Sequence, residues 1–92
     1  MNEKEIFIKN LILGTEFDKY VIEHPEFAEQ IPDNAQIALL PEYDPKLSKI
    51  NLQLARKQKT EGQPLLMVKI PELAPEPQSR LLNPFLKMVA TA

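Results

Sequence analysis

Two short apolar runs, AQIALLP at residues 35–41 and QPLLMVKI at residues 63–70, flank a segment punctuated as a helix, and this arrangement limits the fold more than any other feature of the chain. Each run is nearly free of polar residues and bounded by turn formers, as strands buried on both faces are. Between them, Asp44 can accept hydrogen bonds from the free N–H groups of a first helical turn, and Pro45 suits the first helical position. Gly62 can adopt the left-handed conformation that ends a helix. Arg56, Lys57 and Lys59 gather where cations complement the negative end of the helix dipole. A strand, a crossover helix and a second strand predict parallel pairing with a right-handed connection, and hence an α/β fold of helix, strand, helix, strand.

Within the predicted helix, Leu47, Ile50 and Leu54 form an apolar stripe flanked by Asn51 and Ala55, which should pack on the sheet. Leu52 falls nearly opposite, among Lys49, Arg56 and Lys59. Asn51, half inside the stripe, needs partners for its amide. Loop backbone is the expected partner, with a ligand as the alternative.

Ahead of this unit, Asn2 and Glu5 resemble a capping box opening a helix that runs to about Glu23, before Pro25. At roughly 100° per residue this helix has two apolar faces, one of Ile6, Leu13, Phe17, Tyr20 and Val21, the other of Phe7, Ile8, Leu11, Ile12 and Ile22. Glu5, Lys9, Glu16 and Glu23 share its polar wedge. A two-stranded layer covers one such stripe, so Leu13, Phe17 and Val21 are expected inward, with Phe7, Leu11 and Ile22 free for a second cover, although the two faces could be exchanged. That cover is either the C-terminal segment or a second copy of the chain. Gly14, between the faces, would permit another element to approach closely, at a helix cost of roughly 1 kcal/mol relative to Ala. Residues 23–34 read as a short helical turn between Pro25 and Pro32, with Phe27 and Ile31 inward. His24 is expected to cap the first helix rather than to act as a general base, since no nucleophile or second ligand accompanies it.

Beyond Ile70, PELAPEPQ has three prolines in eight residues and reads as an extended connector. SRLLNPFLKMVATA closes the chain. Phe85, Lys87 and Val89 alternate with Leu86, Met88 and Ala90 as in an edge strand, the preferred reading, while Asn83-Pro84 is equally a helix-start signal. The chain is thus one domain in three parts, an N-terminal helix and turn (1–34), a βαβ unit (35–70) and a connector with a C-terminal segment (71–92). Hydrophobic residues at 43% and charged residues at 26% can build a modest core, which argues against disorder.

The chemistry legible in the chain is sparse. Cysteine is absent, which removes disulfides, thiolate metal sites and Cys nucleophiles. A net charge of −2 with mixed signs provides no basic field for nucleic acid or anionic lipid. The missing leader and apolar span lead to the expectation of a cytoplasmic protein. Ligands of open α/β units bind at the carboxyl ends of strands, here PEYDP at residues 41–45 and the residues after Ile70. That loop has no glycine, and Glu42 and Asp44 disfavour phosphate; two neighbouring acids also fall short of a Ca²⁺ or Mg²⁺ site. Capping and solvation are the expected roles. Lys69 marks a strand edge or a snorkelling position rather than a catalytic amine.

EHPE at residues 23–26, IPD at 31–33, LPEYDP at 40–45 and SRL at 79–81 stand in a run from about Asn10 to Pro84 that resembles a family of small prokaryotic proteins classed as a domain of unknown function. The resemblance implies one compact domain and carries no activity. The expected function is a non-catalytic interaction or regulatory module acting as a homodimer, with no cofactor or metal and no membrane. Its expected interface is Phe7, Leu11, Ile22, Leu86 and Met88, open also to a protein partner. The competing expectation is a small-ligand binding protein or enzyme with a pocket beside Glu42, Tyr43, Asp44, Asn51 and Arg80. A third is an antitoxin-like or nucleic-acid-associated protein, for which only Arg56, Lys57 and Lys59 supply local basic charge.

Overall fold

The structure is a computed structural model that describes residues 1–90. In chain order it contains α1 (Glu3–Glu23), α2 (Pro25–Ala28), β1 (Gln36–Pro41), α3 (Pro45–Gln58) and β2 (Leu65–Ile70). This is the small α/β domain expected, with β1 and β2 parallel and in register from Gln36 opposite Leu65 to Pro41 opposite Ile70.

The helix boundaries follow their caps. The Asn2 side chain accepts from the Glu5 N–H at 2.8 Å, while the Glu5 carboxylate meets the Asn2 side-chain amide rather than its backbone, so the capping box is half made. α1 stops at His24, whose Nδ1 lies 2.9 Å from the Tyr20 carbonyl oxygen. A carbonyl can only accept, so Nδ1 is the protonated nitrogen, and the ring stacks on Tyr20 at 3.9 Å. His24 is a C-terminal cap. α3 begins with Asp44 accepting from the Leu47 N–H and Pro45 at its first position, and ends at Gln58. Gly62 therefore does not cap the helix. It serves the following turn, at φ +80°, where the Gln63 N–H donates to the Thr60 carbonyl.

Two packing expectations require correction. The buried stripe of α3 is Leu47, Asn51 and Ala55, with Leu52 packed against the core of Ala38, Leu40 and Ala55, while Leu54 is exposed. The helix is thus rotated from the purely apolar stripe, for a polar reason. Ser48 and Asn51, one turn apart, donate to the carbonyls of Pro41 and Leu39 at 2.5 and 2.8 Å. Second, β2 is not buried on both faces. α3 packs along β1, leaving Met67 and Lys69 exposed.

α1 lies with Leu13 inward at 3% exposure and Phe17 and Val21 half-buried, whereas Phe7, Leu11 and Ile22 are exposed, Ile22 at 78%. Nothing approaches within 4 Å of the position a Cβ would take on Gly14, so no close approach uses that glycine within the chain. Residues 71–90 contain neither helix nor strand. The edge strand preferred for 84–90 is not formed, because the segment reaches no sheet edge of its own chain; residues 91 and 92 lie outside the described residues. This arm stretches the molecule to 68 × 35 × 27 Å.

Candidate functional site

The loop after β1 is held from both sides. The Glu42 N–H donates to the Ile70 carbonyl at 2.9 Å, tying the two strand ends together, and Asp44 sits between α1 and α3. Its carboxylate accepts from Lys9 Nζ at 2.9 Å with about 19% of the side chain exposed. The hydrogen bond from Lys9, followed by that from the Leu47 N–H, holds its pKa below the ordinary carboxylate value. Partial desolvation, then the Asp44 charge, raises the pKa of the half-exposed Tyr43 phenol. Both carboxylate oxygens of Asp44 are therefore in use for structure, Oδ1 by the Leu47 N–H and Oδ2 by Lys9, and among the described residues no cluster of acids and histidines could hold a metal ion.

A pH dependence follows. Since the folded pKa of Asp44 is depressed, its contribution to stability is present above the unfolded carboxylate value and lost as pH falls through the folded one. Asp44→Asn keeps a cap acceptor without the charge. Its melting temperature should accordingly fall less than that of the parent between about pH 7 and about pH 3, as thermal melts would show.

Asn51 is buried and fully engaged. It exchanges reciprocal 2.9 Å amide bonds with Asn10 and gives its other N–H to Leu39. Lys9 and Asn10, adjacent on α1, thus grip α3 at Asp44 and Asn51. Sequence reasoning missed this clamp; its only trace is the polar pair Lys9-Asn10 set into the otherwise apolar stretch 6–13 of the helix. Arg80 stands exposed in the arm and makes no ion pair among the described residues. Asp44 and Asn51 thus lie along the seam between α1 and α3, Glu42 and Tyr43 are exposed in the adjoining loop, and Arg80 is outside it.

The same hydrogen bonds make the two sheet edges unequal. Successive residues of a strand point their N–H and C=O groups to opposite sides. Gln36 and Glu42 donate toward the β2 side, so Ile37, Leu39 and Pro41 face outward. Asn51 and Ser48 occupy the carbonyls of Leu39 and Pro41, and Pro41 has no N–H, so α3 closes that edge. On β2, Pro64 and Ile70 accept from β1, which leaves the N–H and C=O groups of Leu65, Met67 and Lys69 pointing outward on an edge with no strand beside it.

Apolar surface surrounds this open edge. A cleft of ≈ 320 Å³ lies between α1 and β2, with Leu13, Phe17, Tyr20 and Phe27 on one side and Val68 and Ile70 on the other. Tyr20 and Phe27 meet edge to face with ring centres 5.0 Å apart. A wider groove between α1 and α3 is lined by Ile6, Phe7, Leu11, Ile50 and Leu54. The arm adds Leu81, Leu82, Phe85, Leu86, Met88 and Val89, all largely in solvent, Phe85 at 86% and Met88 at 94%. The chain exposes 8169 Å² in all, roughly 2,700 Å² above the about 5,400 Å² at which folded monomers of 10.5 kDa fall.

Among the described residues no helix is long and apolar enough to cross a membrane. The family described as "Family of unknown function (DUF5647)" matches residues 5–84. No curated protein and no solved structure matches the chain.

Proposed function

The chain belongs to that family of unknown function, and since membership brings no activity with it, we propose from the geometry that the protein is a non-catalytic interaction module that works as a homodimer. One observation carries this reading, the surplus of exposed surface. Obligate homodimers bury about 2,000–5,000 Å² in total, so two chains that each removed even half of a roughly 2,700 Å² surplus from water would fall within that class. The surplus is also of the right kind. Phe7, Leu11 and Ile22 on α1 and Leu86 and Met88 on the arm are large side chains that gain roughly 1.5–3 kcal/mol each on full burial. Three polar side chains that could serve catalysis are committed to structure instead. His24 is spent on a helix end, Asp44 on a cap and ion pair, and Asn51 on Asn10 and β1.

Sedimentation at micromolar concentration should give a species near twice the 10.5 kDa chain mass. The double change Leu86→Ser, Met88→Ser should move that species toward the monomer. A folded monomer in the parent protein at these concentrations would rule the reading out.

A further inference from the structure

We infer that residues 85–90 of one copy add as a third strand to the open edge of β2 in a second copy, with apolar side chains of the arm entering the α1–β2 cleft. The inference rests on the homodimer reading and names its occupant and site.

Hydrogen-bond accounting is the first argument. β2 offers outward groups at Leu65, Met67 and Lys69, an unpaired row that is a template for a further strand. The arm has the complementary need. Its backbone is irregular, and the bond given from the Leu81 N–H to Ser79 Oγ is local to the turn before the apolar run. From Phe85 onward every residue has an N–H, so 85–90 equals β2 in length at six residues. Strand addition supplies main-chain bonds for affinity and side-chain pockets for selectivity.

The second argument is the cleft beside the edge. It is apolar and faces Val68 and Ile70, which lie on the side of the sheet away from the α3 core. Because strand side chains alternate, an added strand sends every second residue toward that cleft, which Leu86 and Met88 would fill. Glu16 and Glu72 are among its walls against the one cation Lys69, a negative balance opposite in sign to Arg80 at the start of the arm.

The third argument concerns reach. An extended arm over residues 71–90 spans up to roughly 65 Å, ample to cross to a neighbour. Pro71, Pro75 and Pro77 favour an extended path over a tight reversal onto the β2 from which the arm departs, and residues 81–90 lie in solvent, unpaired with their own sheet. Two arms exchanged about a two-fold axis make each site self-complementary.

Absence of native cysteine permits a direct test on the full chain. Met67→Cys and Lys87→Cys chains, whose cysteines would share the α3 face of the sheet because Lys87 alternates with Leu86 and Met88, are prepared separately, mixed, and treated with a short bis-maleimide. A covalent heterodimer forming in the mixture at several times the yield of either chain alone is the expected result. Met67→Pro is the second arm of the test. The Met67 N–H points away from β1, so proline there spares the existing ladder and blocks the added strand. This variant should keep the parent's circular dichroism and sediment as a monomer. Four results would overturn the inference. A dimeric Met67→Pro protein with no heterodimer cross-link would send the arm elsewhere and leave the homodimer reading standing. Cross-linking confined to two Met67→Cys chains would place β2 against β2. Linkage within one chain carrying both cysteines, at monomer mass, would make the arm its own chain's third strand. A parent protein that is monomeric throughout would remove this inference and the homodimer reading together.

Discussion

Leu13→Ala should lower the free energy of unfolding by about 2–5 kcal/mol, the range for a buried leucine truncated in place. Leu13 is the one side chain of the 21-residue α1 that is buried, at 3% exposure, and the Lys9 and Asn10 hydrogen bonds, one turn away on the same face, tie α1 to the βαβ unit as well. Small domains have about 5–15 kcal/mol of stability in total, so the loss is a large fraction of what is present. Urea denaturation would register it as a lower midpoint. If α1 detaches while α3 and the strands persist, the slope with denaturant falls as well, because the remaining unit exposes less new surface when it unfolds. An unchanged midpoint would mean that α1 is held by something other than this contact.

Asn51→Ala should cost about 2–4 kcal/mol, because it strands the Leu39 carbonyl and both polar groups of Asn10 at about 1–3 kcal/mol for each fully buried orphan. The estimate sits below the simple sum since Asn10 keeps some access to water. Pairing with Asn10→Ala gives a double-mutant cycle. The two changes should be strongly sub-additive, with a coupling of about 0.5–3 kcal/mol, as reciprocal amide partners removed together leave fewer orphans. Strict additivity in denaturation midpoints would show that the amides do not act as a pair.

Asn51 also shows where sequence reading succeeded and where it failed. Elements with local punctuation were legible. Asn2 and Asp44 announce helix starts through hydrogen bonds spanning three residues, Pro25 and Pro45 mark helix boundaries by their fixed φ and missing N–H, and the two apolar runs announce strands by composition. The parallel pair followed from the length of helix between them. The rotation of α3 was not legible. Hydropathy alone favours Leu47, Ile50 and Leu54, while the fold buries Leu47, Asn51 and Ala55 and turns Leu54 out, because two hydrogen bonds to β1 outweigh one leucine half in solvent. Such bonds depend on which carbonyls face outward from a strand, a fact that exists only after the strands have paired. The Lys9–Asp44 pair, 35 residues apart, was hidden for the same reason. The exposed faces of α1 were visible as a surplus of apolar residues, but the alternation at 85–90 suggested a strand that one copy of the chain does not form.

The side chains of Ser48 and Asn51 that close the outer edge of β1 also bear on how far assembly can proceed. A sheet with two open edges can grow without limit, each added chain exposing a fresh edge to the next, and this is the route to fibres. Here the edge that would carry such growth has two of its carbonyls taken and a proline at its end. With the partner's arm laid on β2, further growth would have to start from β1, and because that edge is closed the sheet does not extend on that side. A polar patch on a helix thus acts as a stop on polymerisation, and removing it would expose a second edge on a protein already rich in uncovered apolar surface.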